Sequence, residues 1–581
     1  MSKKHQILHL LTEAGETLQA DPTAIPWNTY PRPQMKRDSF YCLNGEWSVS
    51  ANGGDPRSIR VPFCPESILS GICLKPGDIN TMIYRKTFIL PEGFNKGRVI
   101  LHFGAVDQEA QVYLNGHFVG RHKGGYEAFS FDVTAYMEAD NQLTVEAWDC
   151  LKPHVLPYGK QRADRGGMWY TPVSGIWQTV WLESVPETYI QSLRIDTTEN
   201  RACGTAAITA EGVTDGAVTV TTPEGALSFP LTDGKATVTI PSPRLWSPDD
   251  PYLYQFTVES GADKVESYFA LRTLEIKKMG GIPRLCLNGA PVFLHALLDQ
   301  GYWSDGIYTP ATPECYEQDI LAMKALGFNT LRKHIKVEPE QFYYDCDRLG
   351  MLVMQDMVNN GDYSFLRDTA LPTVGLKKLN DKRLHRDEAT RKAFFDGMEA
   401  TVGQLRNHPC IVYWTIFNEG WGQFDSQTAY ERLKALDSTR FIDTASGWFK
   451  GADSDVDSEH VYFKPVKLTY SERPMVLSEF GGYSYKPEGH VANPVNTYGY
   501  RFFKKQADFE AALVKLYETE IIPAVDKGLC GAVYTQVSDV EDETNGLLSY
   551  DRRVCKVAAP PMKAIAEALY AAVAVEKATE A

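Results

Sequence analysis

Cysteine is scarce, at 11 in 581 residues. The number is odd, the positions are scattered and no C-x-x-C spacing occurs. A disulfide scaffold needs far denser cysteine and a zinc site needs paired spacing, so both are excluded and the thiols are expected to be reduced core residues. No run of 18 apolar residues exists, so no membrane-spanning helix is expected. Basic charge is in deficit, with 59 Lys and Arg against 74 Asp and Glu and a net charge of −15. Nucleic-acid binding rests on clustered cations, so a nucleic-acid partner is not expected. Neither G-x-G-x-x-G nor G-x-x-x-x-G-K-[ST] appears, which removes the usual nucleotide-binding folds. The apolar stretch Ile7–Leu11 is too short for a signal-peptide core and is followed at once by Glu13 and Glu16, so a cytoplasmic location is expected.

What is present is ordered by texture. Residues 1–183 carry short β-rich segments between turns, such as Val99–Phe103, Ala110–Leu114 and Trp177–Leu182. Asn115-Gly116 is a two-residue hairpin signal, because both residues accept positive φ. This spacing predicts an all-β sandwich. Residues 184–277 alternate again, as in Lys235–Ile240, and their number suits an immunoglobulin-like sandwich. From 278 to 581 the period changes. Helices are predicted over Pro313–Leu326, with Thr312 as N-cap and Gly327 as stop, over Pro339–Leu349 before Gly350, and over about Asp387–Arg406. Between and after them lie apolar strands, Asn329–Leu331, Met351–Met354, Ile411–Phe417, Phe441-Ile442, Met475–Leu477 and Ala532–Tyr534. Helix–strand alternation over nearly 300 residues predicts a parallel sheet, closed at this length into a (β/α)8 barrel.

In such a barrel the reacting groups stand at the C-terminal ends of strands. Glu419 follows Ile411–Phe417 through Asn418, and Glu479 follows Met475–Leu477 through Ser478. Two carboxylates on separate strands, aimed into one pocket, can break a glycosidic bond: a protonated one donates to the leaving oxygen and an ionised one attacks the anomeric carbon. The alternating Asp453, Asp455, Asp457 and Glu459 lack the glycine and the final glutamate of a calcium loop and are expected to form a solvated acidic loop.

Arg406-Asn407-His408-Pro409-Cys410-Ile411, Trp414 and Asn418-Glu419-Gly420-Trp421-Gly422 resemble the acid/base signature of family 2 glycoside hydrolases. Pro474–Gly482 resembles the nucleophile signature of that family. Tyr30-Pro31-Arg32-Pro33, Leu43–Trp47, Gly124-Gly125-Tyr126 and Gly175-Ile176-Trp177 look like its sugar-binding jelly roll. The resemblance covers nearly the whole chain. It implies three domains, a jelly-roll sandwich, an immunoglobulin-like sandwich and a catalytic TIM barrel, with no room for a further C-terminal β-domain. The pocket is then completed by these domains or by a partner subunit of a homo-oligomer. It implies a retaining exo-β-glycosidase with Glu419 as acid/base, Glu479 as nucleophile and Asn418 on the sugar 2-OH. The negative charge of Glu479 would raise the pKa of Glu419, and the carboxyls should stand roughly 5–5.5 Å apart. A non-catalytic carbohydrate-binding relative would be expected to lose one carboxylate, and this chain keeps both.

Around that pair, Arg332 is expected to orient a carboxylate, His334 and Trp421 to meet the sugar, and Tyr462 to place a phenol beside the nucleophile. Asp299 stands where relatives carry a His-Glu-Asp run, and Tyr534 where they often carry Trp-Asn. Asp356 and Asp539 are candidates for sugar hydroxyls. Glucuronidases of the family read the sugar carboxylate through Asn-x-Lys, where this chain has Glu541-Asp542-Glu543. On that ground a neutral β-galactoside is the first expectation, a β-glucoside the second, and a β-glucuronide or other β-uronide the alternative. No cofactor is required; some relatives hold Mg²⁺ or Na⁺ near the acid/base, and no residue here singles out such a site.

Overall fold

The computed structural model describes residues 7–75, 80–152, 154–199, 203–377 and 380–574. The first domain is a sandwich of two antiparallel sheets, one of four strands and one of six. Strand Asn141–Trp148 shows why: its inward positions are buried and alternate with outward ones. The inner faces meet on Leu43, Trp47, Tyr84, Phe103, Val112 and Leu182. The hairpin at Asn115-Gly116 forms as predicted, with φ of +52° and +80°. The second domain packs a three-stranded sheet on a four-stranded one. Its core contains Val220, Val238, Phe256 and Phe269.

The third domain carries eight parallel strands, β1 (Leu294–Asp299), β2 (Thr330–Lys333), β3 (Leu352–Asp356), β4 (Ile411–Asn418), β5 (Phe441–Ser446), β6 (Asp457–Val461), β7 (Met475–Gly481) and β8 (Leu529–Thr535). They pair in sequence order from β1 to β5 and from β6 to β8, with β8 beside β1. The ring is nearly closed; β5 and β6 are adjacent without a ladder between them. Every residue of β4, β5, β7 and β8 is buried, as expected of strands covered on both faces. Helices run over Glu314–Ala325, Glu340–Leu349 and Glu388–Leu405. Gly350 ends the second with φ +71°, and Asp387 caps the third by accepting from Thr390 N at 2.8 Å. The predicted Thr312 cap is replaced by Pro313 immediately before the first helix. Among the described residues no helix is long and apolar enough to cross a membrane.

Two sequence expectations change. All eleven cysteines are free, but Cys73 and Cys555 are exposed rather than in the core. The acidic stretch is a loop only in its first half: Asp453, which is exposed, and Asp455 precede β6, whereas Asp457 and Glu459 lie on it. Their side chains alternate outward, where Lys450 bridges both and Lys377 lies 2.9 Å from Glu459. The inward partners in that alternation are Ser458 and His460, buried inside the barrel.

Candidate active site

The strand order brings Arg332 of β2, Asp356 of β3, Asn418 at the end of β4 and Glu419 just after it, Ser446 of β5, His460 of β6, Glu479 of β7 and Thr535 of β8 to one end of the barrel. That end is the carboxyl end, where backbone leaving each strand is free to vary. Glu419 leaves β4 with φ +52°, a left-handed conformation that costs a non-glycine residue about 1–2 kcal/mol. Gly420 follows at φ +75°, and a Cβ there would lie 2.4 Å from the Phe449 ring. The turn therefore requires glycine and aims the preceding glutamate inward.

Arg332 is the hub. Its Nε and Nη2 donate to the two oxygens of Asp356, each at 3.0 Å. Nη2 also donates to Asn418 Oδ1 at 2.9 Å, and Nη1 donates to Ser478 O at 2.9 Å and Glu479 Oε1 at 3.1 Å. Five bonds use its five donors, which fixes the guanidinium and everything bound to it. The second oxygen of Glu479 accepts from the Tyr462 hydroxyl at 2.5 Å. Tyr462 is held in turn by Thr535 Oγ1 at 2.9 Å and by stacking on Tyr500 with ring centroids 3.7 Å apart.

Glu419 meets a different environment. His460 Nδ1 lies 2.8 Å from Glu419 Oε1 and 3.6 Å from Glu479 Oε2. One oxygen of each carboxylate and a ring nitrogen of His460 all fall within 4.8 Å of one another, closer than the roughly 6.5–9.5 Å that leaves room for an intervening water. Burial pushes the Glu419 carboxyl up to about 7, with Lys160 and Arg332 pulling it back. Burial, rather than the expected repulsion from Glu479, is thus the leading cause. Burial also raises Glu479, with His460 and Arg332 pulling down and Glu419 pushing up. Donors on both oxygens favour its anion. His460 is held neutral at pH 7, its pKa lowered by burial to about 4. This trio is the one group of metal-ligating geometry found among the described residues. Arg332 already donates to Glu479 at 3.1 Å, and its positive charge opposes a cation there.

The other sequence candidates divide. Arg332, Asn418 and Tyr462 lie at the pair, as above. His334 Nδ1 is 2.7 Å from Asp356 Oδ2. Burial lowers the His334 pKa to about 3, while Asp356, which burial alone would raise, is held low by Arg332. An ionised Asp356 places the imidazole proton on Nδ1. Trp421 is fully buried and stacks on Trp169 of the first domain, centroids 5.0 Å apart. Asp299 is not brought to the pair: its carboxylate takes Lys333 Nζ at 2.7 Å and Gly301 N at 2.9 Å. In the parallel register Asp299 lies beside Lys333, on the opposite face of the sheet from Arg332. Tyr534 likewise faces away; its hydroxyl accepts from Tyr483 N at 3.2 Å, and it is the next residue, Thr535, that reaches Tyr462. Asp539 is bound to buried Lys556 at 2.5 Å and to Gly546 N.

Three features escape the sequence reading. His460 was discoverable from the alternation of β6. The acidic stretch Glu541–Glu543 is buried. Glu541 accepts from Thr171 N at 2.9 Å and lies 3.5 Å from Arg165, which is 3.6 Å from Asp542; Glu543 accepts from Tyr170 OH. It anchors a segment of the first domain, residues 158–171, over the barrel mouth. Lys160 on that segment is the third feature, and no local pattern signals that it reaches the barrel.

Three family models match consecutive parts of the chain: glycosyl hydrolases family 2, sugar binding domain, over residues 68–186; glycosyl hydrolases family 2 over 184–272; and the family 2 TIM barrel domain over 311–556. A β-galactosidase of Thermoanaerobacter pseudethanolicus is 28% identical over 366 residues, 59% of this chain and 45% of that protein. A putative β-glucuronidase of Formosa agariphila is 23% identical over 542 residues, 82% of this chain and 60% of that protein. The chain thus spans about half the length of these relatives. The solved β-D-glucuronidase of Dictyoglomus thermophilum shares the fold, with a TM-score of 0.73 at 16% identity over 93% of this chain and 98% of that one. With its two sandwiches, its barrel and matches running from residue 68 to 556, the chain belongs to glycosyl hydrolase family 2.

Proposed function

We propose that the protein is a retaining exo-β-glycosidase. The observation that carries this reading is the asymmetric carboxyl pair within 4.8 Å: Glu479 with a charged or phenolic donor on each oxygen, and Glu419 protonated up to about pH 7. Environments that push two carboxyls into different protonation states assign acid and base roles. Glu479 attacks the anomeric carbon while Glu419 gives its proton to the departing oxygen. A glycosyl ester on Glu479 and a free alcohol result. Esterification removes the negative charge of Glu479, and Glu419, now ionised, takes a proton from water as that water attacks the anomeric carbon and the Glu479 carboxylate departs. Both displacements invert, so configuration is retained. Arg332 keeps Asn418 and Glu479 in one frame, which supports Asn418 as the contact for the sugar 2-OH.

The sequence argument against a uronide loses its basis, because Glu541 and Asp542 face Arg165 and Glu543 is engaged by Tyr170 and Gln536. Relatives carry both β-galactosidase and β-glucuronidase names, so neutral hexosides and uronides both belong in the test. Aryl β-galactosides, β-glucosides, β-glucuronides and β-galacturonides are offered, and the first-formed sugar is followed by NMR. The β-anomer appearing first supports the reading. The α-anomer appearing first, or no turnover of any of them, contradicts it.

A further inference from the structure

Seven lysine and arginine side chains are buried among the described residues. Removing an ammonium or guanidinium from water costs several kcal/mol unless charge and hydrogen bonds replace the lost hydration. Six of the seven have polar partners in hydrogen-bond reach. Arg332 uses all its donors as described above. Lys333 and Lys336 bind Glu338, with Asp299 and backbone carbonyls in addition. Lys556 holds Asp539 and Thr544 O. Arg37 grips Asp263, and Arg284 donates to two carbonyls. The seventh is Lys160, which is 7% exposed. Its Nζ has neither an ion-pair nor a hydrogen-bond partner among the described residues. The Tyr170 and Trp421 ring centroids each lie 5.5 Å from it.

The place of this ammonium is defined by its neighbours. Trp421 is two residues beyond Glu419, and Tyr170 donates to Glu543. The charge of Lys160 is felt by Glu419, Glu479, His334 and Glu543, all from the carboxyl end of the barrel. The segment bearing it is fixed by Thr171 N on Glu541 and by Trp169 stacked on Trp421. A fixed, buried, unpartnered cation beside two catalytic carboxyls is an incomplete ion pair.

We propose that Lys160 completes its ion pair with the carboxylate of the substrate sugar, so that the enzyme is selective for β-uronides over neutral β-hexosides. This rests on the retaining-glycosidase reading above and adds the substrate class. The chemistry is consistent in charge. The reaction needs Glu479 ionised, and an acidic sugar brings a second anion into the same buried space. His334 is neutral and Arg332 has no donor left, so neither supplies the compensating charge. Lys160 does.

Four forms are compared: wild type, Lys160→Arg, Lys160→Met and Glu479→Gln. The probes are 4-nitrophenyl β-glucuronide, β-galacturonide, β-galactoside and β-glucoside. Wild type is expected to favour a uronide. Lys160→Met should lower kcat/KM for that uronide by about 10²–10³-fold, as for truncation of one partner of a buried charge pair, while neutral glycosides change by less than about fivefold. Lys160→Arg should keep the uronide preference. Equal loss on uronide and neutral substrates in Lys160→Met would make Lys160 a structural residue and overturn the proposal. Wild-type turnover of neutral hexosides alone would overturn it and leave the glycosidase reading standing. Calorimetry with free glucuronate and galacturonate separates binding from catalysis. Glu479→Gln should bind one of them and turn nothing over, and Lys160→Met should lose that binding at an unchanged melting temperature. Failure of wild type and Glu479→Gln to bind either uronate overturns the subsite, whatever the turnover.

Discussion

Two groups of buried carboxylates lie at the same end of the barrel and differ in how they are satisfied. Glu541, Asp542 and Glu543 are filled by Arg165, Thr171 and Tyr170 of the first domain together with Asn493 and Gln536 of the barrel, which gives them a docking role. Glu479 has a donor on each oxygen, all from the barrel, and among the described residues Glu419 has only His460 on its side chain. Burial alone therefore does not mark a reactive carboxyl. The distinction is whether its partners bind a separate segment in place or set the protonation state of a facing group.

That contrast predicts different failures. Glu479→Gln should lower kcat by at least ~10⁴-fold, as for loss of a nucleophile, with no drop in melting temperature; a large loss of stability would place Glu479 with the docking group. Glu419→Gln should lower kcat/KM by about 10²–10⁴-fold for alkyl glycosides and far less for dinitrophenyl glycosides, whose leaving groups need no proton. Equal slowing of both would count against its role as acid. Arg165→Met should leave Glu541 and Asp542 without their cation and cost about 3–5 kcal/mol in chemical denaturation, as for a broken buried pair. An effect on kcat with unchanged stability would break the comparison from the other side.

The smallest expected effect is on pH dependence. As the proposed acid Glu419 acts in its protonated form, so kcat/KM should fall about tenfold per pH unit above about 7. The linked stability has the same sign. A carboxyl whose folded pKa is raised supports the fold below its unfolded pKa and loses that support as pH rises through the folded value. Glu419→Gln should therefore gain stability over wild type above pH 7, measured by denaturation at pH 6 and pH 8.

The architecture was legible because alternation of period two and strands buried on both faces follow from local sequence, as in Asn141–Trp148 and Ile411–Asn418. The positions of Glu419 and Glu479 followed from their place after apolar strands. Asp299 and Tyr534 were misplaced for a local reason: each is one residue out of phase with the inward face, so Thr535 rather than Tyr534 reaches Tyr462. The partners of the acidic runs were not legible because they come from distant segments. Asp457 and Glu459 have lysines beside them, and Glu541–Glu543 have the first domain. Lys160 lies about 260 residues from Glu419 in sequence, and only the docking of the two domains brings it to the pocket.

Covalent catalysis at Glu479 can be trapped directly. Aryl 2-deoxy-2-fluoro-β-glycosides of the four sugars slow both displacements and let the ester accumulate. The protein is treated with each, and its mass and peptide map are recorded. A mass increase of one sugar per chain, located on the peptide bearing Glu479 and released as activity returns, is the predicted result. A chain that turns over the parent glycoside yet carries no adduct, or carries it on another residue, would contradict the account.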